Sequence, residues 1–210
     1  MRSAAAKARQ TQGDRSRQAI LEVAVHLASE EGLEGLTIGR LATQTKMSKS
    51  GLFAHFGSKE DLQLATVEAA RHIFIEKVVK PAFEAKKGLP RLSKLCETWF
   101  AYANSQVFRG GCFFVAASAE FDSRPGRVRD RIAEIMKEWL TVLRRTIVEA
   151  QEAGHFNPKV DPTQLAFEIN ALEMGANWAF QLFCDRRAFA RAGAAVLERL
   201  RQHSTRARRR

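Results

Sequence analysis

The sequence of 210 residues predicts an all-α fold. Apolar residues recur three and four positions apart along most of the chain, which is the spacing of an amphipathic helix. Strand signals are nearly absent, because the chain has no Asn-Gly or Asp-Gly dipeptide and no long alternating run. All five prolines lie beyond residue 80, and large aromatic residues become frequent after residue 90. We therefore predict two units, a compact helical one at residues 1–80 and a larger all-helical one at residues 81–203.

The first helix is expected at about residues 14–30, where apolar side chains share one face. Gly32 follows as a C-terminal cap, because glycine accepts the left-handed conformation that often ends a helix. Thr37 is placed to cap a second helix, since its hydroxyl can accept a hydrogen bond from a free backbone N–H of the first turn. A three-residue turn at 45–47 then separates this helix from the next.

Ser48 caps a third, short helix in this prediction, and Gly57 ends it. Ser58 opens a fourth helix, with Asp61 three positions later as a variant of the capping box. This helix is expected to run to about residue 79, where Pro81 interrupts or ends it. Further helices are expected at about 90–107, at 112–121, from Pro125 to near Gly154, at 162–184 and at 186–203.

The composition excludes several classes of protein. A hydrophobic share of 45% with 27% charged residues is typical of a folded globular chain. No apolar run approaches the roughly 18 residues of a membrane span, and no apolar stretch follows the basic start as in a signal peptide. Three widely spaced cysteines exclude a disulfide framework and a C-x-x-C zinc site. We expect a cytoplasmic protein that does not contact a membrane.

The net charge of +11 is concentrated at the two ends of the chain. Residues 1–20 carry +4 and residues 201–210 carry +5, which leaves +2 for the rest. We interpret residues 1–13 as a flexible basic arm and residues 204–210 as a basic tail, both solvated. The alternative is that these ends contact nucleic-acid phosphates.

Residues 37–56 carry the strongest functional signal. Two helices this short are marginal in water, so they must pack on the first and fourth helices. That is the arrangement of a helix-turn-helix unit, whose second helix enters the major groove of DNA. The second helix begins with small or cationic residues and is flanked by lysines: Lys46, Ser48, Lys49, Ser50, Gly51 and Lys59. The helix N-termini at Thr37 and Ser58 also offer backbone amides to phosphates.

At these positions the chain resembles the TetR family of transcriptional regulators. The resemblance is carried by Leu36-Thr37-Ile38 and by the run Met47-Ser-Lys-Ser-Gly-Leu-Phe-Ala-His-Phe-Gly-Ser-Lys-Glu-Asp-Leu62, and more weakly by 110–114 and 165–182. It implies a DNA-binding domain of three helices plus a connecting fourth, followed by a ligand-binding and dimerisation domain. It also implies a homodimer that binds a palindromic double-stranded DNA operator.

Motif position assigns roles by resemblance. Ser48, Lys49, Ser50 and Gly51 would face base edges or nearby phosphates, and Thr37, Phe53, His55 and Lys59 would contact the DNA backbone. Phe53 stands where the family usually has Tyr, and it cannot donate the hydrogen bond of that hydroxyl. Ser50-Gly51 stands where many members have Gly and then a polar residue. The alternatives are that Phe53 and His55 are packing residues and that Lys49 and Lys59 are solvated.

The second unit is interpreted first as a packed core, because an all-helical unit of this size needs apolar filling. By resemblance it would also hold a small-molecule effector, with a pocket predicted to include Trp99, Tyr102, Phe113, Phe114, Trp139, Asn170, Met174 and Trp178. Asn170, Glu173, Asn177 and Gln181 recur along one helix, and we expect them to form a solvated stripe. The alternatives are polar groups of the pocket or hydrogen bonds across a dimer.

The dimer interface is expected at 162–203, since the last two long helices of the family pair with their copies as a four-helix bundle. The residues predicted to face the partner are Leu165, Ile169, Leu172, Ala176, Ala179 and Phe183. The alanines would allow helices to approach closely.

No catalytic, metal or cofactor site is predicted, since the histidines are scattered and no nucleophile, phosphate-loop or paired-carboxylate motif occurs. Our hypothesis is a homodimeric repressor released from its operator by a small apolar or amphipathic ligand, with the helix at 58–79 coupling the two units. The alternatives are a TetR-like regulator without ligand response and a non-specific basic DNA-binding protein.

Overall fold

The computed structural model describes residues 12–105 and 107–205, which contain ten α-helices and one π-helical turn. The helices are α1 (Gln12–Gly35), α2 (Ile38–Thr45), α3 (Lys49–Phe56), α4 (Lys59–Phe74), α5 (Lys80–Phe83), α6 (Leu89–Asn104), α7 (Phe113–Phe121), α8 (Arg127–Glu152), α9 (Pro162–Phe183) and α10 (Ala188–His203), and the π turn is Ile75–Val79. Extended pairing in this part of the chain is one isolated bridge between Phe156 and Ser204. The predicted all-α class is confirmed.

The predicted basic arm and basic tail lie mostly outside the described residues, at 1–11 and 206–210. Their inner ends are corrected. Gln12 begins α1, so that residues 12 and 13 are helical. Thr205 N donates to His155 O at 3.0 Å, so the chain is held by the body up to this residue. Within the described residues, no helix is long and apolar enough to cross a membrane.

The three predicted helix caps are present. Thr37 Oγ1 accepts a hydrogen bond from Arg40 N at 3.2 Å, and Ser48 Oγ accepts one from Gly51 N at 3.1 Å. Ser58 Oγ accepts from the backbone N–H of Asp61 at 3.0 Å and donates to the Asp61 carboxylate at 2.7 Å. The acid therefore bonds the capping hydroxyl rather than the capping backbone N–H, which is why this site is only a variant of the capping box.

Gly32 breaks the regular path of α1 with a φ of 80°. The N–H groups of the next two residues, Leu33 and Glu34, donate to the two carboxylate oxygens of Glu120 on α7, both at 2.8 Å. A Cβ at Gly32 would lie 2.8 Å from that carboxylate. Glycine is therefore required here by both the backbone conformation and the carboxylate that α7 presents.

The prediction that Pro81 interrupts or ends the fourth helix is corrected. In a regular α-helix the proline ring would collide with the carbonyl four residues earlier. The chain instead forms the π turn directly before α5, and Lys80 N donates to Ile75 O across five residues. This wider turn changes the spacing of the carbonyls, so the helix continues through the proline to Phe83.

The start of the long helix α8 is also corrected. It begins at Arg127 rather than at Pro125. The reason is Gly126, whose φ of 146° lies outside the helical region and separates the proline from the helix.

Helix α4 connects the two halves of the molecule. It packs on α1 on one side and on α8 on the other, and α8 in turn packs on α6, α7 and α9. Ion pairs follow the α4–α8 contact: Arg127 Nη1 lies 2.9 Å from Glu60 Oε2, and Arg71 Nη2 lies 2.7 Å from Glu138 Oε2. We call α1–α4 the head and the remainder, from the π turn to residue 205, the body.

Candidate nucleic-acid interface and internal cavity

Helix α3 has one buried and one exposed face. Leu52 and Phe56, four residues apart, are 0% and 6% exposed and fix the helix on the head. Lys49, Ser50 and Phe53 point away from that core and are exposed, with Phe53 at 50%. The spacing of the apolar pair therefore determines which side of α3 is open to a partner.

The turn before α3 depends on two local features. Lys46 adopts the left-handed conformation at the end of α2, with a φ of 56°. A non-glycine residue rarely occupies this region, although it is a common way to end a helix. Beyond the turn, the hydroxyl oxygens of Ser48 and Ser50 lie 3.2 Å apart. The turn thus exposes one ammonium group and two hydroxyl groups beside the N-terminus of α3.

Three residues predicted to contact the DNA backbone have partners within the chain. Lys59 Nζ donates to the backbone oxygen and to Oε2 of Glu34, both at 2.9 Å, and this contact lowers the pKa of the Glu34 carboxyl. Thr37 is exposed, and its hydroxyl oxygen caps α2. His55 is half-buried, with its ring centroid 6.3 Å from that of Phe56. Lys59 would have to exchange an existing ion pair to bind a phosphate.

Arg17 was missed by the sequence prediction, which counted it only among the basic residues near the N-terminus. Its guanidinium lies over the ring of Phe56, 5.1 Å from the centroid. The contact places an exposed cation beside the end of α3. No local sequence signal connects these two residues, which are far apart along the chain.

The body contains a cavity of about 190 Å³. It is lined by residues from α4, the π turn, α6, α7, α8 and α9. Five residues of the predicted pocket lie on its wall: Trp99, Phe114, Trp139, Asn170 and Met174. Nearly all of the wall is apolar, which is the usual form of a small-molecule site.

Three residues of the predicted pocket lie elsewhere, which corrects that prediction. Tyr102 and Phe113 are buried in the core but are not part of the cavity wall. Trp178 is 55% exposed on the outside of α9. Aromatic type favours burial or binding in general, but only the tertiary packing decides which aromatic residue reaches a cavity.

The sequence prediction missed the part of the wall that comes from the head side. Arg71 and Phe74 at the end of α4, and Ile75 and Val79 in the π turn, all line the cavity. Their spacing of three to four residues is a helical face and was visible in the sequence. The other missed wall residues are Cys112, Val115, Ile135, Met136, Glu138 and Val142.

The polar stripe of α9 is not solvated, so that expectation was wrong. Glu173 is 0% exposed and Asn177 is 4% exposed. Asn177 Oδ1 accepts a hydrogen bond from Cys112 N at 2.8 Å, which holds the loop before α7 against α9. Asn170 lies on the cavity wall, and Gln181 is exposed at the end of the stripe. A buried amide partner of this kind replaces the hydrogen bonds that the groups would make with water.

Glu173 is unusual because both of its carboxyl oxygens are buried without a hydrogen-bond partner. Burial raises the pKa of this carboxyl well above its usual range, although the neighbouring Trp139 N–H acts in the opposite direction. Burial also raises the pKa of the Cys112 thiol to about 11, so this cysteine is a neutral thiol at physiological pH.

The predicted dimer residues mostly face the inside of their own chain, which corrects that prediction. Leu165, Ile169 and Ala176 are buried, and Leu172 and Ala179 are partly buried. The helix has two apolar faces, and periodicity alone does not tell which one packs on its own chain. The large apolar side chains exposed on the last two helices are Phe167, Trp178, Leu182, Phe183 and Leu197.

Two family descriptions match the chain. Residues 20–66 match "Bacterial regulatory proteins, tetR family", and residues 88–196 match "Tetracyclin repressor-like, C-terminal domain". The first match covers α2, α3 and the first half of α4, and the second covers most of the body. The cavity residues from Arg71 to Val79 lie between the two matches, and the other wall residues lie within the second. The second match alone spans half of the chain.

Known proteins resemble the chain in part or over its whole length. The HTH-type transcriptional repressor AcnR of Corynebacterium glutamicum is 48% identical over 58 residues, which are 27% of this chain and 31% of AcnR. The matched segment therefore spans about a third of that relative's length. A TetR transcriptional regulator of Chloroflexus aurantiacus has a TM-score of 0.86 at 23% identity, covering 92% of this chain and 98% of its own. AibR, solved with isovaleryl coenzyme A and operator DNA, has a TM-score of 0.68 at 23% identity, covering 85% and 94%.

Proposed function

The chain belongs to the TetR family of transcriptional regulators, and on that premise we propose that it is a homodimeric repressor which a small apolar or amphipathic ligand releases from a palindromic operator. Its family and fold are those of regulators rather than enzymes. The observation that carries the proposal is the continuity of α4 with the π turn. One helical segment packs within the head and also forms part of the cavity wall.

DNA binding is assigned to the exposed face of α3 and the turn before it. In this proposal Lys46, Ser48, Lys49, Ser50 and Gly51 approach base edges and nearby phosphates in the major groove. Thr37, Phe53, His55 and Lys59 lie beside the phosphate backbone. The exposure of Lys49 and Ser50 supports the assignment, because both side chains are open to a partner while the opposite face of the helix is buried.

Ligand response is assigned to the cavity. A ligand that binds one arrangement of the α4 end and the π turn more tightly than another shifts the chain towards that arrangement. The spacing of the two heads in a dimer then no longer fits half-sites about 34–36 Å apart. A protein of the same fold, AibR, was solved with both a small ligand and operator DNA, which supports the combination of the two activities in one chain.

Dimerisation is assigned to residues 162–203, through the exposed strip rather than the buried face of α9. We call Phe167, Trp178, Leu182, Phe183 and Leu197 the outer apolar strip. Trp178 and Phe183 already pack edge to face, with ring centroids 4.8 Å apart, and present one continuous apolar surface. Exposed apolar surface of this kind is typical of protein–protein contacts. Two copies paired in this way would form a four-helix bundle.

The proposal is tested by selecting binding sites from random double-stranded DNA with the purified full-length protein. We expect a palindrome to be enriched, because two heads related by twofold symmetry read two half-sites. Unbiased DNA at the end of the selection would instead point to a non-specific basic DNA-binding protein.

A matched pair of variants sharpens this experiment. Lys49→Ala should lower affinity for the selected operator. It should also reduce the slope of the logarithm of the binding constant against the logarithm of the salt concentration, by about 0.9 for each lost phosphate contact. Lys137→Ala removes the same charge from an exposed position on α8 and should leave both quantities unchanged. Equal behaviour of the two variants would contradict the assigned DNA surface.

A further inference from the structure

The cavity combines two features that point to one chemical class of ligand, a set of perpendicular aromatic rings and a buried carboxyl group without a partner. We propose that the effector is a hydrophobic cation, a quaternary or protonated amine, whose ammonium group lies against Phe74, Phe114 and Trp139 and is balanced by the carboxylate of Glu173. The inference rests on the proposed ligand response and specifies the ligand that the cavity takes.

The rings of the wall are oriented as a cage. Phe74 lies 5.2 Å from Trp139 between ring centroids, with 88° between the ring planes, and 6.1 Å from Phe114, with 86° between the planes. All three side chains line the cavity, and Trp99 completes the aromatic part of the wall. A cation is attracted to the face of an aromatic ring, and rings in perpendicular planes surround a compact ammonium group from several sides.

The carboxyl of Glu173 is buried beside this wall, although Glu173 is not itself one of the lining residues. Its neighbours on α9, Asn170 and Met174, line the cavity. The indole N–H of the wall residue Trp139 faces the carboxyl, but neither Trp139 Nε1 nor a Glu173 oxygen makes a hydrogen bond of good geometry. A buried polar group normally has a hydrogen-bond or charge partner, so an acid without one beside a cavity points to a partner that the bound molecule supplies, and a cation is the natural partner of a carboxylate.

The described residues offer no such charge to Glu173. Arg71 is the basic side chain among the described residues of the wall, and both its Nε and its Nη2 donate to Glu138 Oε2 at the cavity edge. The titratable groups that face Glu173 from the other helices are the thiols of Cys96 on α6 and of Cys112 before α7. Neither thiol carries a positive charge in any protonation state.

Binding of a cation therefore changes the protonation of Glu173. Without a ligand the buried carboxyl keeps its proton, because burial raises its pKa. An ammonium group favours the carboxylate, so the acid proton passes to solvent when the ligand binds. The volume of about 190 Å³ is somewhat larger than a cavity of about 150 Å³ that holds benzene, so one ring with a small ammonium head fits.

The experiment compares two probes of nearly equal shape on the full-length protein. Benzyltrimethylammonium carries the charge, and neopentylbenzene replaces its nitrogen with carbon. We expect the wild type to bind the ammonium at least about tenfold more tightly, the effect of one pKa unit of differential interaction. Its heat of binding should also vary with the ionisation enthalpy of the buffer, because a proton is released. Affinity for the ammonium should rise with pH, up to about tenfold per pH unit below the pKa of Glu173.

Two variants test whether Glu173 causes the preference for the ammonium probe and the proton release. Glu173→Gln keeps the size of the side chain but cannot ionise, so the preference for the ammonium should fall about tenfold and the proton release should disappear, while binding of neopentylbenzene is unchanged. Glu134→Gln, at an exposed position on α8 outside the cavity, should behave as the wild type. If Glu173→Gln does not fold, the wild type alone still tests the inference, because its heat of binding for the ammonium probe must vary with the ionisation enthalpy of the buffer.

Equal or tighter binding of the neutral probe, binding of neither probe, or binding of the ammonium without proton release would each overturn the inference. Release from the selected operator is measured separately. If neopentylbenzene binds and releases the operator, the cation inference fails and the ligand-responsive repressor stands. If the ammonium binds with proton release but leaves operator binding unchanged, the cation site stands and the proposed ligand response fails.

Discussion

The exposed face of α3 and the cavity of the body are built in opposite ways. The proposed DNA surface comes from one short helix, one turn and two capping hydroxyls, all within about twenty residues of the chain. The cavity takes its wall from five helices and the π turn, and its residues span Arg71 to Met174. The first surface depends on local hydrogen bonds and spacing, whereas the second exists only when distant helices pack. A change in the core of one region should therefore affect the other region little.

Leu52→Ala and Leu143→Ala test that separation with the largest expected effect. Both leucines are 0% exposed, Leu52 on the buried face of α3 and Leu143 on the buried face of α8. Truncation of a buried leucine costs about 2–5 kcal/mol of unfolding free energy. We expect the first variant to lose operator binding and keep ligand binding, and the second to show the reverse, as measured by fluorescence anisotropy and calorimetry. Loss of both activities in both variants would mean that head and body form a single cooperative unit.

Glu120→Ala tests the contact of α7 with α1, one of the contacts that join the body to the head. It removes two hydrogen bonds to the backbone N–H groups of Leu33 and Glu34, which should cost about 1–3 kcal/mol because the acceptor is charged. We expect a bound ligand to lower operator affinity less than in the wild type, while ligand affinity itself stays the same. Asp122→Ala, an exposed acid just beyond α7, is the control. An unchanged ligand effect on the operator would mean that the contact between α7 and α1 takes no part in the coupling, and would leave it to α4 and its contacts with α8.

The buried Glu173 gives the body a pH dependence of stability. Its pKa is raised in the folded chain by burial, so between the unfolded value of about 4.3 and the folded value the native state binds more protons than the unfolded state. The unfolding free energy should therefore fall as pH rises through this window, by up to about 1.4 kcal/mol per pH unit. Urea denaturation from about pH 5 to about pH 8 measures the slope. Glu173→Gln should remove this part of the slope, and parallel curves for the two proteins would refute the assignment.

Lys59→Met has the smallest expected effect. It tests whether Lys59, which pairs with Glu34 within the head, also binds a DNA phosphate. The ion pair of Lys59 with Glu34 joins side chains that are 44% and 45% exposed, so its loss should cost about 0–1 kcal/mol. If Lys59 exchanges Glu34 for a phosphate in the complex, the salt dependence of operator binding should weaken by about 0.9 in the logarithmic slope. An unchanged slope would mean that the lysine serves only to join α4 to α1.

The contrast between the local surface of α3 and the long-range packing of the cavity also explains which features could be predicted from the sequence. The caps Thr37, Ser48 and Ser58 were predictable, because a hydroxyl, its backbone partner and the helix start lie within three residues of one another. Most helix limits of the body followed from proline, glycine and apolar spacing. The continuation past Pro81 was not predictable from these rules, because a π turn leaves no distinct sequence mark.

The residues of the cavity were harder to predict than those of α3. Trp99, Phe114 and Trp139 were expected in the pocket, but Trp178 has the same chemical type and lies on the outside. The polar stripe of α9 was expected in water and contains the fully buried Glu173. Both differences arise because α9 is apolar on two sides, and only its contacts with α8 and α10 decide which side is interior.

The π turn also fixes the angular phase between the two ends of the long segment from Lys59 to Phe83. A π turn holds one residue more than an α turn, and each residue of an α-helix advances the side chains by about 100°. Compared with an unbroken α-helix of the same residues, the π turn sets the side chains that follow it back by about the advance of one residue, or roughly 100°. The extra residue therefore works as a phase offset, which lets one face of the segment serve the head and a different face close the cavity.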